Sequence, residues 1–397
     1  MSRPVRVIVL NTDESFATPV RAHLLSIEGV KIVAEVEEPA LLTTALEQFP
    51  AEVVVVHLDP DPEGLLQVAG LACKQRPQMA VFALASAADG PLVLSAMRAG
   101  LREFLTKPID HEHLAAALRK VADTLPDRIR HGRLFPIIGA AGGVGATTLA
   151  TNLAVELADL KAGSVVLVDM DMRFGQVATF LDIQPSFTIS DLCETPGSLD
   201  PQMVEKAVNR HASGVHVLAR PNHLTQAETI TGAHCATVLG ALQELYDYVV
   251  VDGPSRFDPA ARAVLDMADV SFLVLQLVVP NVRNAVRIRE AAQASGYNLE
   301  RLHLVCNRVG KDAGQLSVAH IETTLNSKVY LSIPDDWRAV STAINLGDPL
   351  ASSSPKSRVR AAIRELAARL VVNKPETEPQ RKAKKSGRIL SKVLSDS

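Results

Sequence analysis

Residues 134–148 read LFPIIGAAGGVGATT, and this stretch decides the fold of the larger part of the chain. The apolar run Leu134–Ile138 leads into a loop that contains Gly142, Gly143 and Gly145, and the residues that follow (LATNLAVELA) favour a helix. In a strand, glycine loop and helix of this order, backbone N–H groups and the helix N-terminus all face one anion. The stretch therefore predicts a phosphate-binding loop.

Hydroxyl-bearing residues end this loop and extend the prediction. Thr147 occupies the place where a hydroxyl ligates Mg²⁺, and Thr148 the place where one reaches the α-phosphate of a nucleotide. An ordinary glycine-rich turn between a strand and a helix is the alternative interpretation. On the first interpretation, the nucleotide contacts Gly142, Gly143, Val144, Gly145, Ala146, Thr147 and Thr148.

Aspartates follow two further apolar runs. Val165–Asp171 (VVLVDMD) is a predicted strand that ends in Asp169 and Asp171, and Tyr248–Pro254 (YVVVDGP) is another that ends in Asp252. Aspartates at strand ends are also common as helix caps and turn formers. Their order behind the glycine loop nevertheless favours a function in the same site.

The glycine loop and the two acidic segments together resemble the ParA/MinD family of deviant P-loop ATPases, whose loop reads roughly KGGxGKTT. The resemblance implies ATP and Mg²⁺ as cofactors. It implies that Asp252, in a Walker B strand, reaches the metal through water, and that Asp169 or Asp171 positions magnesium or the attacking water. Leu302–Val309 (LHLVCNRV) carries Asn307 at the family's adenine-recognition position, where an ordinary turn residue is the alternative.

The resemblance covers Leu134–Val372, with Ile333–Asp336 (IPDD) and Ala343–Pro349 matching the family's closing segment. Two positions depart from the family pattern. Ala141 stands where the family has its signature lysine, which reaches across a dimer, and Ala146 where it has the P-loop lysine. Such cations stabilise the charge that develops during phosphoryl transfer. We therefore predict ATP binding, with hydrolysis slow or absent.

Two arginines are candidates for replacing the missing charge. Arg173 follows the first acidic segment and Arg256 follows the second. The alternative for each is an ordinary surface arginine, because this residue type is mostly exposed.

The remaining apolar runs predict an α/β fold for the whole chain. We expect a pseudo-receiver domain over residues 1–125, a linker at 126–133, a larger doubly wound P-loop domain at 134–372 and a tail without fixed structure at 373–397. The predicted strands and terminal helices are Val5–Leu10, Val53–Leu58, Val81–Ala85, Glu103–Thr106, Leu134–Gly139, Val165–Asp169, Val215–Ala219, Tyr248–Asp252, Phe272–Leu277, Leu302–Asn307 and Val329–Ile333, with helices at Leu114–Leu125 and Lys356–Val372.

The first 125 residues resemble a response-regulator receiver, of flavodoxin-like fold, through residues 96–110 (AMRAGLREFLTKPID), which include Lys107. Receivers hold Mg²⁺ with two acids after the first strand and accept phosphate on an aspartate after the third. Here the first strand ends in Asn11-Thr12, and Asp13 is displaced by a residue. His57 ends the third strand, and Asp59 comes two positions later. We interpret the domain as a pseudo-receiver for protein contact, and His57 as a hydrogen-bonded polar residue.

A pseudo-receiver followed by a ParA/MinD-like domain with GGVGATT resembles the TadZ/CpaE family, which is associated with assembly and polar localisation of Flp/Tad-type pili. The resemblance implies a homodimer whose partners are pilus assembly proteins, including the secretion ATPase. An active ATPase that positions surface machinery or DNA is the alternative. A DNA-binding protein gains no support, because the net charge is −3 and no helix-turn-helix is evident.

The ends and the cysteines of the sequence point to the cytoplasm. Charged and polar residues follow Val9 and Leu10, so we expect no secretory signal. The four cysteines form no CxxC pair, which fits a reducing compartment. Arg381–Leu394 is basic and has an apolar stripe. This pattern predicts that the segment contacts the inner face of an anionic membrane, and a solvated tail is the alternative.

Overall fold

The structure, a computed structural model, describes residues 4–125, 131–194, 199–253, 258–310 and 316–372. Two sheets organise the chain, one of five strands and one of eight. In the part of the chain that is described, no helix combines the length and the apolar character needed to cross a membrane.

The first sheet is parallel throughout and lies between two layers of helices. Its strands are β1 Val5–Leu10, β2 Val30–Val36, β3 Val53–His57, β4 Ala80–Ala85 and β5 Glu103–Thr106, and the helices are α1 Glu14–Leu25, α2 Leu42–Gln48, α3 Pro62–Gln75, α4 Gly90–Arg98 and α5 His111–Thr124. The strand order is β2-β1-β3-β4-β5, which is the order of flavodoxin-like sheets. Every residue of β1 and β3 is buried, which explains why both runs are so rich in valine.

The second sheet carries the glycine loop. Its strands are β6 Arg133–Gly139, β7 Val165–Asp169, β8 Asn209–Arg210, β9 His216–Leu218, β10 Tyr248–Asp252, β11 Ser271–Gln276, β12 Leu302–Val309 and β13 Val329–Pro334. The order is β13-β12-β11-β6-β10-β7-β9-β8, parallel except for the β8–β9 pair. The loops after β6, β7, β10, β11 and β12 therefore meet at one edge, where ligands bind open α/β sheets.

Helices cover both faces of this sheet. They are α6 Ala146–Asp159, α7 Val177–Phe180, α8 Ile189–Cys193, α9 Pro201–Ala207, α10 Leu224–Ala227, α11 Gly232–Leu245, α12 Pro259–Asp266, α13 Val279–Ala294, α14 Val318–Leu325, α15 Trp337–Leu346, α16 Leu350–Ser353 and α17 Arg358–Val372. The buried carboxylate of Glu156 on α6 accepts hydrogen bonds from Arg360 at 2.6 Å and Arg364 at 2.7 Å, which fixes α17 against the helix that starts at the glycine loop.

Each strand predicted from the sequence is present, with ends that agree within two residues. The sequence reasoning missed β2 and the short β8. The run of β2 is VKIVAEV, and its Lys31 and Glu35 suggest a surface segment. Both charged residues instead contact the second unit, where Lys31 pairs with Asp269 and Glu35 with Arg262.

Ion pairs and hydrogen bonds join the two units. The buried Arg21 donates a hydrogen bond to the backbone oxygen of Ser295 at 2.9 Å, and Arg301 donates one to that of Ile27 at 2.7 Å. A buried arginine or lysine of the first unit can lie against the second unit because a carboxylate of that unit pairs with its positive charge. The pairs, with their N···O distances, are Arg6–Glu244 at 2.8 Å, Arg21–Asp266 at 2.7 Å and Lys31–Asp269 at 2.9 Å.

Candidate nucleotide-binding site

The glycine loop takes a backbone course that only glycine adopts easily. Gly143 has φ of 73°, and Gly145, the N-cap of α6, has φ of 99°. A Cβ on Gly145 would also lie 2.3 Å from Nδ2 of Asn307. Gly142 and Gly143 are exposed, so the backbone of the loop is accessible to solvent beside the start of α6. The loop can therefore contact a phosphate with its backbone.

Two amide side chains from neighbouring strands support the loop. Asn307, in β12, donates from Nδ2 to the backbone oxygen of Val144 at 2.7 Å, and Gln276, at the end of β11, donates to that of Gly143 at 3.2 Å. The Asn307 side-chain oxygen accepts the amide proton of Arg308 at 2.9 Å. The sequence reasoning singled out Asn307 for the adenine, and in this structure both polar ends of its side chain are bonded to backbone. Gln276 was missed, because a glutamine at a strand end carries no motif.

The two acidic segments bring Asp169 and Asp252 side by side, since these residues are register partners on β7 and β10. Both are almost fully buried, and Oδ1 of Asp169 and Oδ2 of Asp252 accept no hydrogen bond from any described residue. The Thr147 hydroxyl hydrogen-bonds to Asp252. Burial raises the pKa of both carboxyl groups, and the charge of Asp169 raises that of Asp252 further.

These orphaned oxygens suit a divalent cation. A cation beside a buried carboxyl group favours its ionised form and so opposes the rise in pKa that burial causes. Mg²⁺ is held in proteins by one or two carboxylates together with the phosphates of its substrate. Within the described ranges, no group of three or more His, Cys, Asp or Glu side chains is arranged to hold a metal ion. Thr147 and Asp252 fit a magnesium ion that arrives with a nucleotide.

A loop anchored on Asp169 and Asp171 covers the acidic side of the site. Asp171 accepts the amide proton of Phe174 at 3.1 Å, and Asp169 that of Val177 at 3.1 Å. A Cβ on Gly175 would lie 1.9 Å from Oδ1 of Asp169, so only glycine fits there. Asp171 therefore shapes this loop at the edge of the site.

The sequence reasoning missed Arg220, which follows β9. Its Nε donates to the backbone oxygen of Gly175 at 2.7 Å, and its positive charge acts to lower the pKa of Asp169. Arg220 thus supports the loop over the acidic pair from a strand that carries no recognised motif.

The two motif lysines have no replacement on the described loops. Ala141 and Ala146 are half-buried and contribute only methyl groups. Arg173 is exposed, in agreement with the surface interpretation, and Arg256 lies outside the described residues. Any interaction that this loop makes with phosphate therefore comes from backbone amides, Thr147 and Thr148.

A solvent-open cleft of about 420 Å³ extends from the loop between the ends of β12 and β13. Gly145, Thr148 and Asn307 line its inner end, and Arg308 and Trp337 its outer end. The cleft and the glycine loop form one continuous site.

The receiver-like residues of the first unit also meet at a sheet edge. The Asp59 carboxylate lies 2.9 Å from the Lys107 ammonium and 2.6 Å from the Ser86 hydroxyl. Burial opposes these contacts, but the hydrogen bonds from Ser86 and Lys107 prevail and lower the pKa of Asp59 to about 2. His57 is buried and hydrogen-bonds to Asn11 at 2.6 Å and to Asp59 at 3.2 Å. His57 is therefore a hydrogen-bonded polar residue, and Asp59 is bound to groups of its own domain.

Residues 132–282 match a protein-family model described as an AAA domain. An uncharacterised ATP-binding protein of Methanocaldococcus jannaschii is 28% identical over 216 residues, which cover 53% of this chain and 78% of that protein. The septum site-determining protein MinD of Thermotoga maritima is 24% identical over 244 residues, which cover 60% of this chain and 88% of MinD.

Solved structures agree with these relatives. A ParA family ATPase from Chlorobium tepidum superimposes with a TM-score of 0.57 at 21% identity, covering 61% of this chain and 99% of the ATPase. MinD from Pyrococcus horikoshii, in complex with Mg-ADP, gives a TM-score of 0.53 at 19% identity, covering 60% of this chain and 96% of MinD. The larger unit of the chain therefore has the fold of ParA and MinD proteins.

Proposed function

From its ParA/MinD-like P-loop domain, we propose that this chain binds ATP with Mg²⁺ and acts as a dimeric switch that hydrolyses ATP slowly or not at all. One observation carries the proposal: the unpaired, buried oxygens of Asp169 and Asp252 lie beside a glycine loop whose Thr147 bonds to Asp252 and which contains no lysine. Backbone amides and the helix N-terminus bind phosphate without a cationic side chain.

The missing lysines affect the reaction more than the binding. Phosphoryl transfer develops charge on the transferred group, and fixed cations stabilise that charge. Bound Mg²⁺ would neutralise phosphate charge, with Thr147 and Asp252 as its protein contacts. The side chains of Ala141 and Ala146 add no further positive charge. The ATP-bound state then persists, as a switch requires.

Calorimetric titration with ATP and ADP, with and without Mg²⁺, tests this proposal. We expect both nucleotides to bind and Mg²⁺ to tighten binding in the native protein. The Asp252→Asn variant keeps the shape of the side chain and removes its charge, so it should lose most of the Mg²⁺ effect. If neither nucleotide binds at saturating concentration, the chain is an adaptor and not a nucleotide-controlled switch.

We place the switch in assembly and polar localisation of a Flp/Tad-type pilus, on the TadZ/CpaE resemblance. The first unit acts as a pseudo-receiver that contacts pilus assembly proteins, since Asp59 is already bound by Ser86 and Lys107. A homodimer is supported by Phe174, an apolar side chain that is 69% exposed in the loop after Asp171. Mass measurement in solution with ATP and with ADP should show whether nucleotide controls the dimer.

The basic segment Arg381–Leu394 lies outside the described residues. We propose that it attaches the dimer to an anionic membrane from the cytoplasm, because several basic residues and an apolar stripe bind such surfaces. Deletion of residues 381–397 should reduce sedimentation with vesicles of anionic lipid. Equal sedimentation of the truncated protein would favour a solvated tail.

An active ATPase that positions surface machinery or DNA is a second candidate, favoured by the intact pair Asp169 and Asp252. Phosphate release by the native protein and by Asp252→Ala separates the two candidates. A working ATPase loses its turnover in the variant, whereas a slow or inactive switch shows little difference.

A further inference from the structure

An exposed tryptophan stands at the outer end of the nucleotide cleft. Trp337 is 61% exposed and begins α15, and it is the single tryptophan of the sequence. The guanidinium of Arg308, from the end of β12, lies 5.8 Å from the centre of its ring. Trp337 also lines the cleft, so its indole offers an aromatic face to any ligand that extends along the cleft from the glycine loop.

The backbone holds both residues in place. Arg308 has φ of 54°, in the left-handed region that non-glycine residues seldom adopt, and such residues concentrate at binding sites. Asp336 caps α15 and accepts a hydrogen bond from the Ser357 hydroxyl at 2.9 Å, which ties the start of the helix to the segment before α17. The indole of Trp337 is therefore attached to a fixed element.

The Asn307 amide already bonds to two backbone groups. Asn307 donates to the glycine loop through Nδ2 and accepts the amide proton of Arg308 through Oδ1. One N–H and one lone pair of this amide remain for a base, so Asn307 alone can make few contacts with it. Residues farther along the cleft can add to recognition of the base, and Trp337 offers a large aromatic face there.

We propose that Trp337 is the stacking platform for the adenine base of the bound nucleotide. The Arg308 guanidinium then lies on the opposite face of the indole. The inference rests on the proposed nucleotide site and adds the residue that gives the base its affinity. Indole and guanidinium faces both stack on nucleobases, and aromatic stacking tolerates different bases. Phosphate contacts in the glycine loop are independent of this platform.

Binding of ATP, ADP and inorganic tripolyphosphate to the full chain tests the proposal. Trp337→Ala should weaken ATP and ADP binding by about 5- to 150-fold, the effect of removing one stacked aromatic group, and leave tripolyphosphate binding unchanged. Trp337→Phe should retain most of the affinity. Phe187→Ala removes a comparably exposed aromatic side chain, 49% exposed and outside the cleft, and serves as the matched control.

Fluorescence supplies a second measurement, because the emission of this protein's tryptophan comes from Trp337 alone. ATP should change that emission and tripolyphosphate should not. ATP binding that leaves the emission unchanged, or equal ATP affinity of Trp337→Ala and the native protein, overturns the stacking inference and leaves the nucleotide site intact. A native protein that binds no nucleotide overturns both.

Discussion

The Lys31 ammonium lies 2.9 Å from Oδ2 of Asp269, and the same oxygen accepts the amide proton of Leu134 at 2.7 Å. One carboxylate thus joins β2 of the first unit to β6, the strand that leads to the glycine loop. Lys31 is buried, and burial lowers the pKa of its ammonium group while Asp269 opposes that change. The first unit is therefore attached at the base of the strand that leads to the glycine loop.

Asp269→Asn should lower the free energy of unfolding by about 3–5 kcal/mol, because it leaves a buried cation without its partner. The asparagine oxygen can still accept the Leu134 amide proton, so the change isolates the charge. Denaturant unfolding provides the measurement. Glu322→Gln, in the exposed pair with Lys328, is the control and should cost much less, because solvent screens that pair. Similar losses for the two variants would argue against a buried ionic contact between the units.

His131, beside the same contact, should make stability depend on pH. Burial, together with the positive charges of Arg6 and Lys31, lowers the pKa of His131 to about 3. An unfolded chain protonates its histidines near pH 6.5. Between about pH 6.5 and 3 the unfolded state therefore binds a proton that the folded state does not, and stability falls as the pH is lowered.

His131 alone can change the free energy of unfolding by at most about 1.4 kcal/mol per pH unit. His131→Gln should flatten the profile of unfolding free energy between pH 6.5 and 4, whereas His320→Gln, at an exposed position, should leave it unchanged. The difference between the two variants cancels the contributions of carboxyl groups. Parallel profiles would mean that His131 is protonated within the fold.

Sequence patterns predicted the strands and the glycine loop because both depend on local chemistry. Apolar runs such as that of β10 are buried on both faces, and Gly143 and Gly145 occupy left-handed backbone positions. The missed features depend on contacts between distant segments. Lys31 makes the β2 run resemble a surface segment, because its partner Asp269 is distant along the chain. Arg220 supports the loop at Gly175 from 45 residues away.

Gly145→Ala should abolish or severely weaken nucleotide binding. Alanine at φ of 99° is strained, and its Cβ would displace Asn307 from the loop. Gly90→Ala, in the first unit, is the matched control, since a Cβ there meets nothing within 4 Å and the residue has no positive φ. Calorimetric titration of the two variants with ATP gives the comparison. Equal losses of affinity in both variants would mean that the effect is not specific to the glycine loop. Retained affinity in both would mean that the Asn307 contact does not support the loop.

Ala146→Lys should restore part of the missing catalytic chemistry. The residue begins α6 beside Thr147, and a lysine there places a cation at the phosphate end of the helix. One preorganised group that stabilises transition-state charge is worth about 10²–10³ in rate, so we expect phosphate release to rise by about 10²-fold. Ala146→Met, of similar length without the charge, should leave the rate at its native value. The rise should disappear when Asp252→Ala is added, because the metal contact is then lost. If lysine and methionine gave the same rate, the absence of this cation would not be what limits hydrolysis, and the slow step would lie in the acidic pair or in the loop that covers it.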